Sequence, residues 1–316
     1  MKMKKINVLM STYNGEDYLK TQIDSILDQR GVEVFLTIRD DGSVDKTIDI
    51  LRDYAELNNV EVIKGNNIGF KESFLTLLYE LRKPNFDFYA FSDQDDFWLP
   101  QKLKKSVNMI DVSEEPTLYI GNRIVADGQL KSLGYCVYDQ YPPYDWHASH
   151  ISRIIDFRGA GCTEMWNAEG QLLLERYRPH DIPHDEWVTA VFTCLGQIFF
   201  DNDAYLLYRR HQHTVTVTAT KKQRRSILGK ARKTISILAE KKLSQNVDLR
   251  CKYLLDGYSR MLSEEDRKYL TYLARYRGRI LVKLKLLLSG QFKVTSKDAP
   301  ITYKVQKVLM LLTNGL

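Results

Sequence analysis

Asp93, Asp95 and Asp96 place three carboxylates within four residues, in the run Ser92-Asp93-Gln94-Asp95-Asp96. Negative charge at that density is unfavourable when nothing compensates it, and a bound divalent cation relieves it. Carboxylate oxygens suit Mg2+ or Mn2+, ions that keep several waters and share their coordination with substrate phosphates. Taken alone, the triplet also reads as a solvated acidic turn that opens a helix before Leu99-Pro100. A second acidic pair lies in Pro183-His184-Asp185-Glu186-Trp187, ahead of an apolar helical stretch. It reads as helix capping, with Asp185 as N-cap and Glu186 complementing the dipole. It also reads as a general base. An acceptor hydroxyl is a poor nucleophile at neutral pH, and a carboxylate that takes its proton as the bond forms supplies the missing driving force.

The elements around these residues give them a common edge. Ile6–Met10 is a short apolar strand ending at Ser11-Thr12-Tyr13-Asn14-Gly15, and Leu19, Ile23, Ile26 and Leu27 follow at helical spacing. Val32, Val34, Leu36 and Ile38 alternate as in a strand that ends at Asp40-Asp41-Gly42-Ser43, with Ser43 placed to cap a helix carrying Ile48, Leu51 and Ala55. Val60–Ile63 is another strand, Asn66-Asn67-Ile68-Gly69 a turn, and Phe74–Leu81 a helical stretch. Phe86–Phe91 is strand-like and runs into the carboxylate cluster. Repeated strand-then-helix units predict an α/β fold with a mostly parallel sheet flanked by helices. Such sheets bind ligands beyond the carboxyl ends of their strands, so the clusters at 11–15, 40–43 and 92–96 should gather at one edge.

The ordered set Ser-Thr-Tyr-Asn-Gly-Glu (11–16), Arg-Asp-Asp-Gly-Ser-x-Asp (39–45), Asn-x-Gly-Phe (67–70) and Ser-Asp-Gln-Asp-Asp-x-Trp (92–98) resembles the family 2 glycosyltransferases. The resemblance covers about the first two-thirds of the chain. The last motif, with Gly-Cys-Thr-x-x-x-Asn (161–167) and His-Asp-Glu-Trp (184–187), is similar to rhamnosyltransferase-like members that build bacterial surface polysaccharides such as capsule and cell wall. The resemblance implies a GT-A fold and a metal-dependent, inverting hexosyltransferase using Mn2+ or Mg2+. Its donor would be dTDP-rhamnose or a UDP-sugar, its acceptor a polyprenyl-diphosphate-linked chain or another oligosaccharide. It implies that Thr12, Tyr13 and Asn14 line the nucleotide pocket and that Asp41 or Asp40 accepts from the pyrimidine N3–H. It places Lys71 near the donor, Asp95 on the metal, Asp93 on the ribose or the metal, and Asp96 on the sugar. Asp185 matches the family's general base, while Glu186 assists it, binds acceptor or caps the helix. Tyr208-Arg209-Arg210-His211 is similar to a segment near the diphosphate, which assigns Arg209 and His211 to the donor.

Other features bound the remaining readings. Residues 134–150 are rich in Tyr, Pro, His and Trp and read as a long loop or lid, in which Trp146, with Trp187 beyond it, is an acceptor candidate. Cys136, Cys162, Cys194 and Cys251 form no Cys-x-x-Cys pair, which argues against a zinc site or a disulfide framework and fits a reducing cytoplasm. Cys162 reads as a packing residue. The Ile6–Met10 run is too short for a signal-peptide core. From residue 221 onward there are 23 basic against 7 acidic residues, whereas residues 1–220 hold 23 against 33. We therefore divide the chain into a catalytic domain over 1–220 and a basic helical region over 221–316. Ile301, Val305, Val308, Leu309 and Leu312 share a helical face with Lys304 and Lys307 off it, and Lys283 and Lys285 interrupt Ile280–Leu288. Lys221–Arg225 and Lys230–Lys233 surround Ile227 and Leu228. Such helices pack on a core with solvated lysines, or lie peripherally on an anionic membrane at its cytoplasmic face. No nucleic-acid-binding signature accompanies the charge. A sugar-phosphate nucleotidyltransferase and a non-catalytic membrane- or nucleic-acid-binding module are the competing classes, and self-association stays open.

Overall fold

A computed structural model describes residues 2–140, 144–145, 147–211, 246–291 and 301–314. The chain divides into two compact units, residues 1–141 with 158–210 and residues 142–157 with 211–316.

The first unit is a mixed sheet flanked by helices. Its strands are β1 (Lys5–Thr12), β2 (Glu33–Asp40), β3 (Val60–Lys64), β4 (Phe88–Ser92), β5 (Phe97–Trp98), β6 (Thr117–Ala126), β7 (Ser132–Cys136), β8 (Glu164–Asn167) and β9 (Gln197–Arg209). Their order is β3-β2-β1-β4-β8-β6-β9-β5, with β7 beside β6. β1 pairs in parallel with β2 and β4, β2 with β3, and β6 with β9, whereas β8 is antiparallel to both β4 and β6. The expected mostly parallel sheet is therefore parallel in its first half and mixed beyond β4. Ile6, Val8, Leu9 and Met10 are all buried on β1, as a central strand covered on both faces requires.

The helices of this unit are α1 (Leu19–Leu27), α2 (Thr47–Tyr54), α3 (Phe70–Thr76), α4 (Lys102–Ile110), α6 (Ala168–Leu174) and α7 (His184–Leu195); α5 (His150–Ile155) lies in the second unit. On α1, Leu19, Ile23 and Ile26 bury one face at helical spacing. Ser43 does not cap α2, which starts four residues later. Its hydroxyl instead donates to Asp40 and accepts from the Asn14 amide, which ties it to the loops rather than to the helix end. The helix expected over Phe74–Leu81 starts earlier, behind Gly69 at φ 82°, and widens into a π turn over Leu77–Leu81. The stretch read as a loop from 134 begins in β7 and continues into a 3-10 turn over Tyr138–Gln140.

The second unit is helical among its described residues: α5 (His150–Ile155), α8 (Val247–Tyr258), α9 (Glu264–Ala274), α10 (Ile280–Leu288) and α11 (Ile301–Leu312). Val247, Cys251, Leu254, Tyr258, Leu270, Leu273, Leu286 and Leu311 are buried in it. The expected solvated lysines are corrected at two positions. Lys283 is buried and donates to the Leu312 carbonyl at 2.7 Å. Lys307 is buried, donates to the Ile155 carbonyl at 3.2 Å and lies 3.4 Å from Asp156. Each serves a carbonyl in the last turn of a helix, where the backbone lacks partners and the dipole favours a cation. The basic segments at 221–225 and 230–233 lie outside the described residues.

Candidate active site

Three strand ends converge through hydrogen bonds between their loops. Gln94, in the middle of the carboxylate run, accepts from the Thr12 hydroxyl at 2.6 Å and the Tyr13 amide at 2.9 Å, and donates to the Tyr13 carbonyl at 3.0 Å. Asn14, at φ 46°, accepts from the Val44 amide, and Gly15 donates to Thr47 Oγ1. The 11–15 loop thus sits between the 40–43 and 92–96 loops. Tyr13 keeps an exposed side chain, while Thr12 is buried.

Asp40 and Asp41 are both buried and heavily used within the protein. Asp40 accepts from the Gly42 and Ser43 amides and the Ser43 hydroxyl. Asp41 pairs with Arg39 at 2.5 Å and accepts from the Ile68 and Gly69 amides. A carboxylate offers roughly four lone-pair sites, so each retains about one for a base. Their larger structural role is to shape the 40–43 and 66–69 loops.

The carboxylate cluster rests on a buried layer. Asp93, Asp96 and Cys162 each bring a ligand atom within 4.8 Å of the others. Cys162 is buried in the 161–163 turn, with its Sγ beside both carboxyls. Burial, then the negative charge of Asp96 and Asp93, pushes that thiol well up. It is a buried packing residue, as read. Burial raises Asp93 to about 7 and Asp96 well above the usual carboxylate range, with Asp95 adding to both. Two cations answer this charge. The buried Arg123 guanidinium lowers Asp93 and lies 5.0 Å from the Tyr208 ring. Buried Lys102 stands 3.6 Å from the Trp98 ring, and burial lowers it to about 8 against the opposing pull of Cys162 and Asp96. Arg123 falls where the β6–β9 register shifts, between Asn122 and Ile124. Such an irregularity re-aims a side chain.

Asp185 lies in the first turn of α7, behind the N-cap Pro183, and one of its oxygens accepts from the Glu186 amide at 2.8 Å. Its charge raises both Asp93 and Glu164, so it stands within electrostatic reach of the cluster. Glu164 begins β8, which runs antiparallel to β4, so it reaches the edge where β4 ends. It is fully buried, accepts from the Thr189 hydroxyl at 2.8 Å, and has one oxygen without a partner. His184 is buried against Phe74, its ring 3.8 Å away, and burial lowers its pKa to about 4, so the imidazole is neutral. Trp187 is corrected as an acceptor candidate: it is fully buried, and its indole donates to the Tyr79 hydroxyl at 2.8 Å. Glu186 is half-buried beside Asp185.

The remaining predicted residues spread outward. Lys71 pairs with Asp181 at 2.9 Å. Arg209 ends β9, donates to the Asp95 and Gly128 carbonyls at 2.8 and 2.6 Å, and stacks over the Tyr18 ring at 4.7 Å. Its side chain is thus a brace between loops. His211 lies two residues beyond β9, and Trp146 lies outside the described residues. Arg123, Lys102 and Glu164 were missed. A lone charge inside the apolar stretches around 118–126 and 160–166 was the available signal for Arg123 and Glu164; Lys102 had none.

These residues fit a divalent cation. Carboxylate oxygens of Asp93 and Asp96 lie within 4.8 Å of each other and of Cys162 Sγ, a group that does not include Asp95, and Asp96 Oδ2 is buried without a partner. Hard oxygen donors favour Mg2+ or Mn2+, and the protonated thiol adds no soft ligand.

An α/β sheet with polar loops gathered at the carboxyl ends of β1, β2 and β4, and with Asp185 on α7 close enough for its charge to act on Asp93, has the layout of a GT-A fold. Residues 7–146 match the Glycosyl transferase family 2 model. The chain is similar to the dTDP-rhamnosyl transferase RfbG of Shigella flexneri, 25% identical over 218 residues that cover 65% of this chain and 72% of that protein. An uncharacterized glycosyltransferase of Haemophilus influenzae is 32% identical over 120 residues, 35% of this chain and 44% of that protein. In fold it is similar to S. aureus TarS 1–349, with a TM-score of 0.55 at 15% identity over 97% of this chain and 80% of that one. TarS 1–349 in complex with UDP-GlcNAc gives a TM-score of 0.54 at 17% identity over 98% and 89%.

Proposed function

We propose that the chain is an inverting glycosyltransferase that moves a sugar from dTDP-rhamnose or a UDP-sugar to a hydroxyl of a growing, lipid-linked bacterial polysaccharide. The observation that supports this reading is the close Asp93–Asp96 pair after β4, with the charge of Asp185 near enough to act on Asp93. The similarity to a dTDP-rhamnosyl transferase supports the donor class.

In this reading the first unit is the catalytic domain. Thr12, Tyr13 and Asn14 wall the nucleotide pocket, and the spare lone pair of Asp41 or Asp40 meets the base. Asp93, with Asp95 or Asp96, would hold Mn2+ or Mg2+, which offsets charge on the diphosphate. Asp185 accepts the acceptor hydroxyl's proton as its oxygen bonds to the anomeric carbon; the bond to the diphosphate breaks, and the nucleoside diphosphate leaves with that electron pair. Arg123 and Lys102 limit repulsion among the carboxylates. The helical second unit would keep the enzyme peripheral to the cytoplasmic face of the membrane, where a lipid-linked acceptor resides.

The test is a thermal-shift screen of dTDP-rhamnose, UDP-hexoses and UDP-galactofuranose, with and without Mn2+. One donor should raise the melting temperature in a metal-dependent way, and Asp95→Ala with Asp93→Ala should abolish that dependence. No response to any donor would sink the reading.

A further inference from the structure

Two helices of the second unit, α10 and α11, each bury a lysine and expose several aliphatic side chains. On α10, Lys283 is buried, while Ile280, Leu281, Leu284 and Leu288 are 59%, 71%, 44% and 85% exposed. At 3.6 residues per turn these four fall within an arc of about 100° on one side of the helix. On α11, Lys307 is buried and Val305, Leu309 and Leu312 are exposed. The two lysines are committed to the Leu312 and Ile155 carbonyls, so the apolar side chains occupy the outer face. α10 and α11 are neighbours, as the Lys283–Leu312 and Gly278–Asn314 hydrogen bonds show. Exposed aliphatic side chains grouped on one side of a helix mark an interaction surface.

The charge around it identifies the partner. Residues 275–291 contain five basic side chains and no acidic one. Arg275, Arg279 and Lys285 are exposed on and just before α10, Arg277 pairs with Asp248 at 2.7 Å, and Lys304 is exposed on α11. Aliphatic side chains rimmed by guanidinium and ammonium groups match acyl chains beneath anionic phosphate headgroups. Among the described residues no helix is long and apolar enough to cross a membrane. The nine-residue α10, roughly 14 Å long, suits an in-plane position.

We propose that the exposed face of α10, extended by Val305, Leu309 and Leu312, docks on an anionic lipid bilayer. This deepens the proposed lipid-linked acceptor reading, on which it rests for its purpose.

The test floats the full chain with vesicles of phosphatidylcholine, with and without phosphatidylglycerol. The parent should float with the anionic vesicles and hardly with the neutral ones. Leu281→Glu with Leu288→Glu, both at exposed positions, should lower binding at least tenfold. Arg275→Ala with Arg279→Ala should lower it severalfold and flatten its salt dependence. Both variants should keep the parent's circular dichroism, melting temperature and Mn2+-dependent hydrolysis of dTDP-rhamnose or UDP-glucose. Absence of flotation by the parent, or undiminished flotation of the Glu pair, overturns the inference. So does a parent dimer that the Glu pair dissociates without any vesicle binding, since the face would then be a contact between copies. Flotation without hydrolysis of any donor overturns the transferase reading and leaves this one standing.

Discussion

Glu164 accepts a hydrogen bond from the Thr189 hydroxyl at 2.8 Å, and Thr189 stands one helical turn beyond Asp185 on α7. The first residue of β8 therefore grips the helix face that carries the proposed base. Burial raises Glu164 well above 4.5, and the charge of Asp185 pushes it further the same way. An uncharged acid thus supports a carboxylate that has to act as a base, and their surroundings separate the two roles.

The first prediction tests that protonation state. The folded protein holds the Glu164 proton more tightly than the unfolded chain, so this group's stabilising contribution is complete below about pH 4.5 and declines as pH rises toward the folded pKa. Glu164→Gln removes the titration while keeping an acceptor for Thr189. Its stability relative to the parent should therefore improve between about pH 5 and pH 8, as read by urea unfolding at the two values. Glu164→Ala should instead cost about 2–4 kcal/mol at either pH, through a lost hydrogen bond and a cavity. A Gln variant whose stability relative to the parent does not change across this range would show that the native carboxyl is ionised.

Asp93 gives a pH dependence of opposite consequence. Burial first, then Asp95 and Asp185, lifts it to about 7 against the pull of Arg123 and Cys162. A carboxyl sheds its proton before it ligates a cation. Mn2+ affinity should therefore fall about tenfold per pH unit below pH 7 and level off above it. Titration calorimetry at about pH 6 and pH 8 measures this, and Asp93→Asn should flatten the profile. Equal parent affinities at both values would remove Asp93 from the metal site.

What could be read in advance follows from how local each feature is. The strand-end loops were legible because β1, β2 and β4 are short apolar runs that stop abruptly at polar turns. Their clamp was not, because Gln94 reads as a spacer between aspartates until the 92–96 loop folds onto Thr12 and Tyr13. Lys102 sits in Gln101-Lys102-Leu103-Lys104-Lys105, which matches any solvated basic face. Glu164 is buried because β8 inserts antiparallel between β4 and β6, a long-range pairing that no local period encodes. The same limit hid the inward turn of Lys283 and Lys307, whose partners lie 29 and 152 residues away.

Replacing the proposed base should separate chemistry from donor binding. Asp185→Asn is expected to lower kcat by about 10²–10⁴-fold, with little change in nucleoside-diphosphate affinity. It also withdraws a charge that raises Asp93. Below about pH 7 the variant should therefore bind Mn2+ more tightly than the parent. Gain of metal affinity alongside lost turnover is a signature that a misfolded pocket would not give. Retention of full turnover would dismiss Asp185 as the base.

The Gln94 clamp is open to a double-mutant cycle. A Cβ added at Gly15 would stand 2.5 Å from Gln94 Oε1, so Gly15→Ala forces the amide off Thr12 and Tyr13. Losing those bonds should cost about 1–3 kcal/mol and weaken donor binding, since the nucleotide-pocket loop is held by them. Gln94→Ala loses the same bonds without the collision. In the double variant the clash has no second partner, and the nearest remaining atom, Thr12 Oγ1, is 3.3 Å away. The double variant should then be within about 0.5 kcal/mol of Gln94→Ala alone, a coupling far from additivity. Thermal or urea unfolding of the four proteins supplies the cycle, and dTDP or UDP binding repeats it at the functional level. Additive losses would mean that Gly15 is required for something other than the room it leaves for Gln94.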